Sequence, residues 1–399
     1  MCFFELDGKP PVPEKAHAAL MHVLTLTPFY PNASDDAAGC FVAEPLRVLE
    51  ECGVNSYVVA TQPVYRGRAH PGSAARPADW VHYAAIPGGI GLASAGGFLY
   101  ASLVSKIRKL HRLRPVDLIH AHAALPCGHA AVLLSRELGI PCVVTVHGLD
   151  VFFTNQVGGR AGQWCQRVSQ FVYRSASRVI CISEKVSDRV VNGGAAVNTA
   201  VIYNGVDSEM FSPAPSQPEG RTILSVGNLI PIKGHELLLR AFARLQYDYP
   251  DLSCEIVGDG PERFRLSRLA SDLGIADKVH FLGRQSRKQV AEAMRRCTVF
   301  ALPSRYEGLG CVYLEAMSTE KPVVACRGQG IEEIIQQGIS GWLIDPEDLE
   351  GLTDALSLLV RNAGLRRQMG DAARRAIRQN FTLRHQATQL AELYRECVA

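Results

Sequence analysis

Short runs of apolar, β-branched residues alternate along the whole chain with longer stretches whose apolar residues recur every three or four positions. The short runs fit strands covered on both faces and the longer ones fit amphipathic helices, so the pattern predicts parallel strands joined by helical crossovers. A first series contains MHVLTLTPF from Met21, SYVVAT from Ser56, DLIHAHA from Asp117, PCVVTVHG from Pro141, RVICIS from Arg178 and AVIYNG from Ala200. The segment SPAPSQPEG, residues 212–220, then gathers three prolines, two serines and a glycine, which is linker chemistry. A second series follows: TILSVGNL from Thr222, SCEIVGDG from Ser253, KVHFLGR from Lys278, TVFALPS from Thr298, KPVVACRG from Lys321 and GWLIDP from Gly341, with helical stretches such as ELLLRAFARLQ between them. The expected class is α/β, with two doubly wound, Rossmann-like domains over residues 1–211 and 212–380.

Residues 84–104 contain no charge and are long enough on paper to span a bilayer. Five glycines, Pro87 and two serines make the stretch weakly hydrophobic, so a loop leading into a helix is expected instead. The 42 basic and 39 acidic residues give a net charge of +3, which excludes a protein built to coat nucleic acid. Twelve cysteines are spread singly, the nearest two being Cys40 and Cys52, and none forms a CxxC pair. They read as buried thiols in a reducing compartment, without structural zinc. The opening MCFFELDGKPPVPEK carries Glu5 and Asp7 where a signal peptide needs a basic start, so a cytosolic protein is expected.

Parallel sheets bind ligands beyond the carboxyl ends of their strands, and here those ends carry the polar turns HAHA, VHGLD, YNGVD, VGNLIPIKG, VGDGP, FLGR, PSRYEGLG and CRGQG. Two such sheets facing each other place a cleft between them. The segment 303–348 is the most informative: Glu307 lies on a turn before Gly308 and Gly310, and Glu315 falls about a turn and a half into the helix those glycines open. Backbone N–H groups at such a helix start suit a diphosphate, and adjacent carboxylates suit sugar hydroxyls, which together describe a nucleotide sugar. His120 and His122 alternate along DLIHAHA and so share one sheet face, one lining the cleft and the other serving as core. A zinc pair there lacks further ligands. No Asp-x-Asp pair occurs anywhere, so no metal site is expected, and no GxGxxG follows the first strand, which sets aside a dinucleotide-dependent oxidoreductase.

With these residues in place the chain resembles the retaining GT-B glycosyltransferases of family 4, whose second half carries PSxxEGxGxxxLEAMxxxxPVVA. The similarity spans nearly the whole sequence: FYP with Gly39, DLIHAHAALPCGHAA, TVHGLDVF, VIYNGVDSEMF, SVGNLIPIKGHELLLRAF, IVGDGPERFRL and the segment above. The resemblance implies that Glu315 holds the ribose hydroxyls and that Glu307 contacts the donor sugar. It implies that Lys233 neutralises the diphosphate and that His147 reaches toward the sugar from the first domain. Donor contacts are further implied for Gly308, Leu309, Gly310, Cys311 and Val312, with Arg284 and Gly39 beside them. The family's arginine five positions before the lysine is Asn228 here, so one positive charge is missing, and Arg305 is the candidate to replace it. The final amphipathic stretch, 381–399, is expected to return to the first domain as it does in family members.

The implied reaction is metal-independent and uses no cofactor. A sugar passes from a nucleotide diphosphate, UDP favoured and GDP open, to a hydroxyl acceptor with retention, in surface polysaccharide or glycolipid assembly. The first 200 residues hold 18 basic and 14 acidic side chains, and five of those cations fall within residues 106–114. The resemblance makes the first half the acceptor half, so Lys106, Lys109 and Arg112, with His122, are assigned to the acceptor side, where an anionic cytoplasmic leaflet and a lipid-linked acceptor are the candidate partners. An ordinary solvated helix face is the plainer account of the same charges. Competing functions are a nucleotide-sugar epimerase or hydrolase on the same fold, and a non-catalytic nucleotide-sugar-binding subunit, to which the Asn228 departure gives weight.

Overall fold

The computed structural model of the chain describes residues 20–33, 35–67, 77–87, 89–148, 157–193, 197–215 and 221–399. The opening segment, the end of the linker and the residues just beyond Gly148 in TVHGLDVF lie outside them.

Among the described residues thirteen strands form two parallel sheets. The first contains β1 (Met21–Thr27), β2 (Val54–Pro63), β3 (Asp79–Tyr83), β4 (Leu118–His122), β5 (Cys142–Val146), β6 (Arg178–Cys181) and β7 (Thr199–Val201), in the order β3-β2-β1-β4-β5-β6-β7. The second contains β8 (Thr222–Val226), β9 (Ser253–Val257), β10 (Val279–Gly283), β11 (Val299–Leu302), β12 (Val323–Cys326) and β13 (Trp342–Ile344), in the order β10-β9-β8-β11-β12-β13. All twelve expected runs are present. β3 is the addition: it sits at the sheet edge, and its DWVHY is broken by Asp79 and His82 and mostly half-buried, so it lacks the continuous apolar run that marks a central strand. In each sheet the winding reverses beside the first strand, between β1 and β4 and between β8 and β11. Such a switch point opens a crevice at the strands' carboxyl ends.

The uncharged stretch becomes a short 3-10 turn, Gly89–Gly91, leading into the helix Leu92–Leu113. Ala93, Leu99, Leu103 and Ile107 are buried along it, while Lys106, Lys109 and Arg112 stay exposed. No helix among the described residues is long and apolar enough to cross a membrane. The eleven described cysteines are free thiols.

The last helix, Leu383–Val398, packs Leu383, Ala387, Leu390 and Tyr394 into one apolar cluster with Val23, Val42, Leu46, Leu118 and Val143 of the first sheet and its flanking helix. Its start is fixed by a capping box of Thr382 and His385, and Val206 pairs with Thr382 as an isolated bridge. The chain thus crosses back at residues 381–382. A second apolar cluster runs continuously from Leu24 and Val144 of the first sheet through Val206 and Phe211 to Phe300 of the second sheet and Tyr313 of the helix Cys311–Ser318.

Candidate active site

The crevice between the two sheets gathers residues from the strand ends of both. After β8, Asn228 presents an exposed side chain, and the turn Pro231–Lys233 closes on Gly234 at φ 73°. A side chain at Gly234 would place its Cβ 2.0 Å from the Pro303 carbonyl oxygen, so glycine is required for this turn to lie against the segment that follows β11. That contact brings Lys233 to Glu307, with Nζ and Oε1 2.5 Å apart and both side chains largely buried. The Ser304 hydroxyl donates to the Ile232 and Tyr306 carbonyls, at 3.1 and 2.9 Å, tying the two loops together.

Gln329, which sequence reasoning passed over as one residue of the CRGQG turn, props the Glu307 loop from beneath. Its Oε1 accepts from the Glu307 amide at 3.0 Å, and its Nε2 donates to the Arg305 carbonyl at 2.8 Å. Gly310 adopts φ 83° and opens the helix Cys311–Ser318, so the first amides, Cys311 and Val312, lack acceptors within the helix. Leu309 is buried. The Gly308 carbonyl accepts from the Ser183 hydroxyl of the first domain at 2.7 Å, and Gly308 lies so close to His147 that a Cβ would fall 2.6 Å from its carbonyl oxygen. The glycine-rich loop is therefore in contact with both halves of the chain.

Glu315 is 5% exposed, and its Oε1 stands 2.5 Å from Nη1 of Arg287, the first residue of the helix Arg287–Arg296. Arg287 also binds both oxygens of Glu44, at 2.9 and 3.1 Å, and lies 4.7 Å over the Phe211 ring. Glu44 belongs to the helix Cys40–Glu51 of the first domain, whose N-cap is Gly39 at φ 69°. Burial pushes the Glu44 carboxyl up to about 7, against the pull of Arg287. Burial works to lower the Arg287 pKa, but the Glu315 and Glu44 charges outweigh it and hold the guanidinium above its usual range. The Cys311 thiol, pushed up to about 12 by burial, accepts from Nδ2 of Asn204 at 3.3 Å. Neither Arg287 nor Glu44 stands out in the sequence, because SRKQVAEAMRR and FVAEPLRVLEE read as ordinary amphipathic helices.

The first domain contributes a histidine array. His120 is core: its Nε2 pairs with Thr145 Oγ1 at 2.7 Å and its Nδ1 with the Tyr394 hydroxyl at 2.6 Å. His122 Nδ1 meets His147 Nε2 at 3.0 Å, and their rings stack with centroids 5.2 Å apart. Phe29 and Phe41 enclose His147. Burial lowers His120 and His147 to about 3 and His122 well below its usual value, so all three rings are neutral. His122 is therefore tied to His147 and not to the cationic helix.

Three further sequence candidates are engaged by other side chains. Arg284 is ion-paired with Asp35 of the first domain. Arg305 does not fill the gap at Asn228, since its guanidinium is held by Glu347 at 2.9 Å and the Pro231 carbonyl at 3.1 Å. It lines a cavity of about 310 Å³ with Pro231, Gly234, Glu236, Arg240, Glu262 and Arg265. Lys106 pairs with Asp79 at 2.8 Å on the outer surface. No group of three or more potential metal ligands occurs among the described residues.

Comparison with known proteins matches this arrangement from both halves. The family description Glycosyltransferase Family 4 covers residues 41–210, and Glycosyl transferases group 1 covers residues 207–376. A glycosyltransferase of Methanocaldococcus jannaschii is 30% identical over 64% of this chain and 69% of its own length. The GDP-mannose-dependent α-(1-6)-phosphatidylinositol monomannoside mannosyltransferase of Mycolicibacterium smegmatis is 28% identical over 73% of this chain and 80% of its own. Among solved structures, HepE of Anabaena in complex with UDP-glucose superposes with a TM-score of 0.73 at 21% identity, covering 94% of this chain and all of that one. Two matched halves, two doubly wound sheets and a crevice lined from both identify this chain as a member of the family 4 glycosyltransferases, with the GT-B fold.

Proposed function

We propose that the protein transfers a sugar from a nucleotide diphosphate to a hydroxyl acceptor, with retention and without a metal ion, in assembling a surface polysaccharide or glycolipid. The observation that carries this reading is the grouping of Lys233, Glu307, the glycine-rich helix start and Glu315 along one switch point. Glu315 takes the ribose diol, because a carboxylate accepts two hydroxyls at once. The amides of Gly308, Leu309, Gly310, Cys311 and Val312 face the diphosphate, with Arg284 and Gly39 at the edge of the donor site. Lys233 neutralises the leaving phosphate and Asn228 adds a neutral donor.

Glu307 contacts the sugar, and until donor arrives it holds Lys233 in place. Both carboxylates are thereby committed to binding, which favours attack on the leaving-group face over a covalent glycosyl-enzyme. His147 meets the sugar from the first domain, held in place by its hydrogen bond and stacking with His122. UDP is the favoured nucleotide, supported by the UDP-glucose complex of the Anabaena neighbour, and the mannosyltransferase relative keeps GDP open. The exposed cations Lys109 and Arg112, with Lys106 beside them, would place a cytosolic protein against an anionic leaflet carrying the acceptor.

Calorimetry and saturation-transfer NMR against UDP- and GDP-sugars, first with chelator and then with a divalent cation, test the reading. One nucleotide sugar is expected to bind equally in both conditions, and Glu315→Ala is expected to abolish that binding. Binding that requires the cation, or that survives Glu315→Ala, would overturn the assignment.

A further inference from the structure

Arg287 is the most heavily engaged cation in the crevice. All three of its bonding directions are used: Nη1 toward Glu315, and Nε with Nη2 toward the two oxygens of Glu44. The Phe211 ring covers its face at 4.7 Å, and the side chain is only 11% exposed. The two carboxylates belong to different domains. Glu315 lies in the helix that opens on the glycine-rich turn, and Glu44 lies in the first helix of the facing domain. The capping box of Ser286 and Gln289 fixes the start of the Arg287 helix, so the guanidinium projects from a rigid base. Three residues earlier Arg284 reaches Asp35 of the same facing domain, so this corner crosses the crevice twice.

We propose that Arg287 is a positioning residue that clasps the two domains around the donor, aiming the Glu315 carboxylate at the ribose diol while holding Glu44, so that nucleotide binding and domain closure are coupled. The proposal rests on the assignment of Glu315 to the ribose. One oxygen of Glu315 anchored on Arg287 fixes the plane of the carboxylate and leaves its remaining lone pairs for two hydroxyls. A preset carboxylate loses less side-chain freedom when the nucleotide arrives. Because the same guanidinium grips Glu44, withdrawal of the first domain removes one of the two anions that hold Arg287 in this pose. Closure and the aim of Glu315 therefore change together, which is what linkage between two equilibria requires.

The test compares wild type, Glu44→Gln, Arg287→Lys and Glu315→Gln in the full chain. UDP and GDP affinities are measured by calorimetry, and the radius of gyration by small-angle scattering with and without nucleotide. Glu44→Gln keeps the side-chain shape and leaves the Arg287–Glu315 pair intact. It is expected to weaken nucleotide binding about threefold to tenfold and to enlarge the radius of the free protein, with nucleotide restoring part of the closure. Arg287→Lys, which loses the fork geometry, is expected to weaken binding further, and Glu315→Gln to abolish it. A thermal melt accompanies each variant. A merely structural role for Glu44 would lower the melting temperature without moving affinity or radius, and that outcome overturns the clasp. If wild type binds nucleotide and Glu315→Gln does not, yet Glu44→Gln matches wild type in both readouts, the clasp fails and the ribose assignment stands. If wild type binds neither nucleotide, the ribose assignment fails and the coupling falls with it.

Discussion

Asn228 and Lys233 occupy one loop, and their charges decide how strongly the site attracts a diphosphate before any contact forms. Lys233 is the cation aimed at Glu307, and in the free protein that carboxylate 2.5 Å away offsets most of its field. Asn228 contributes no charge, and Arg305 is committed to Glu347. The free site is thus weakly attractive to anions, and restoring a cation at Asn228 is the direct remedy. Asn228→Arg is expected to tighten UDP binding about tenfold, the scale of one charge-assisted hydrogen bond. The gain should shrink as salt rises from 50 to about 300 mM, because the added charge is exposed and screened. Calorimetry at two ionic strengths checks both statements. An unchanged affinity would mean that the phosphates do not approach this turn.

At the scale of elements, the turn after β11 and the 3-10 segment Gly330–Glu333 are packed without slack. A Cβ on Gly330 would fall 1.9 Å from the Gly308 carbonyl oxygen, which itself accepts from Ser183 of the first domain. Gly330→Ala must therefore lift the glycine-rich loop proposed to bind the diphosphate. It is expected to cost about 1–3 kcal/mol of stability through overpacking and to weaken nucleotide binding at least as much as it destabilises. Gly97→Ala is the control. Nothing lies within 4 Å of a Cβ there, and alanine inside the helix Leu92–Leu113 should be neutral or stabilising by about 0.5–1 kcal/mol. Urea unfolding with UDP titration separates the two variants, and equal behaviour would refute the packing argument. The same elements show what was legible in the sequence. Central strands announce themselves as apolar runs and their turns as glycine with polar residues, so the two sheets and the Glu307, Glu315 and Lys233 positions could all be read. The edge strand β3, half-exposed on its outer positions, could not. Arg287, Glu44 and Gln329 were illegible for another reason: each lies on an ordinary helix face or turn, and only the packing of one element on another turns its side chain into the site.

For the whole molecule, burial of ionisable groups makes folding itself pH-dependent. His120 and His147 are lowered to about 3, His235 to about 4, and His122 well below its usual value, each chiefly by burial. A histidine whose folded pKa is depressed binds fewer protons folded than unfolded once the pH drops below about 6.5, so its contribution to stability is lost as the pH falls. Glu44 acts in the opposite sense. Its folded pKa of about 7 means that the folded state carries one extra proton between about 4.5 and 7, which favours folding on acidification. His129 is lowered by burial as well, and these histidines together outweigh the one raised carboxyl, so unfolding takes up protons between pH 6.5 and 5.5 and stability falls over that unit. Urea unfolding at pH 7.5, 6.5 and 5.5 should show the midpoint falling steadily, with most of the loss in the last step. His120→Gln removes one titrating group while retaining a partner for Tyr394 or Thr145, so its stability should fall less steeply with acidity even if it starts lower. A wild-type midpoint that holds or rises from pH 6.5 to 5.5 would show that the histidine array takes up its protons within the folded state, and the neutral His122–His147 pair facing the donor would have to be abandoned.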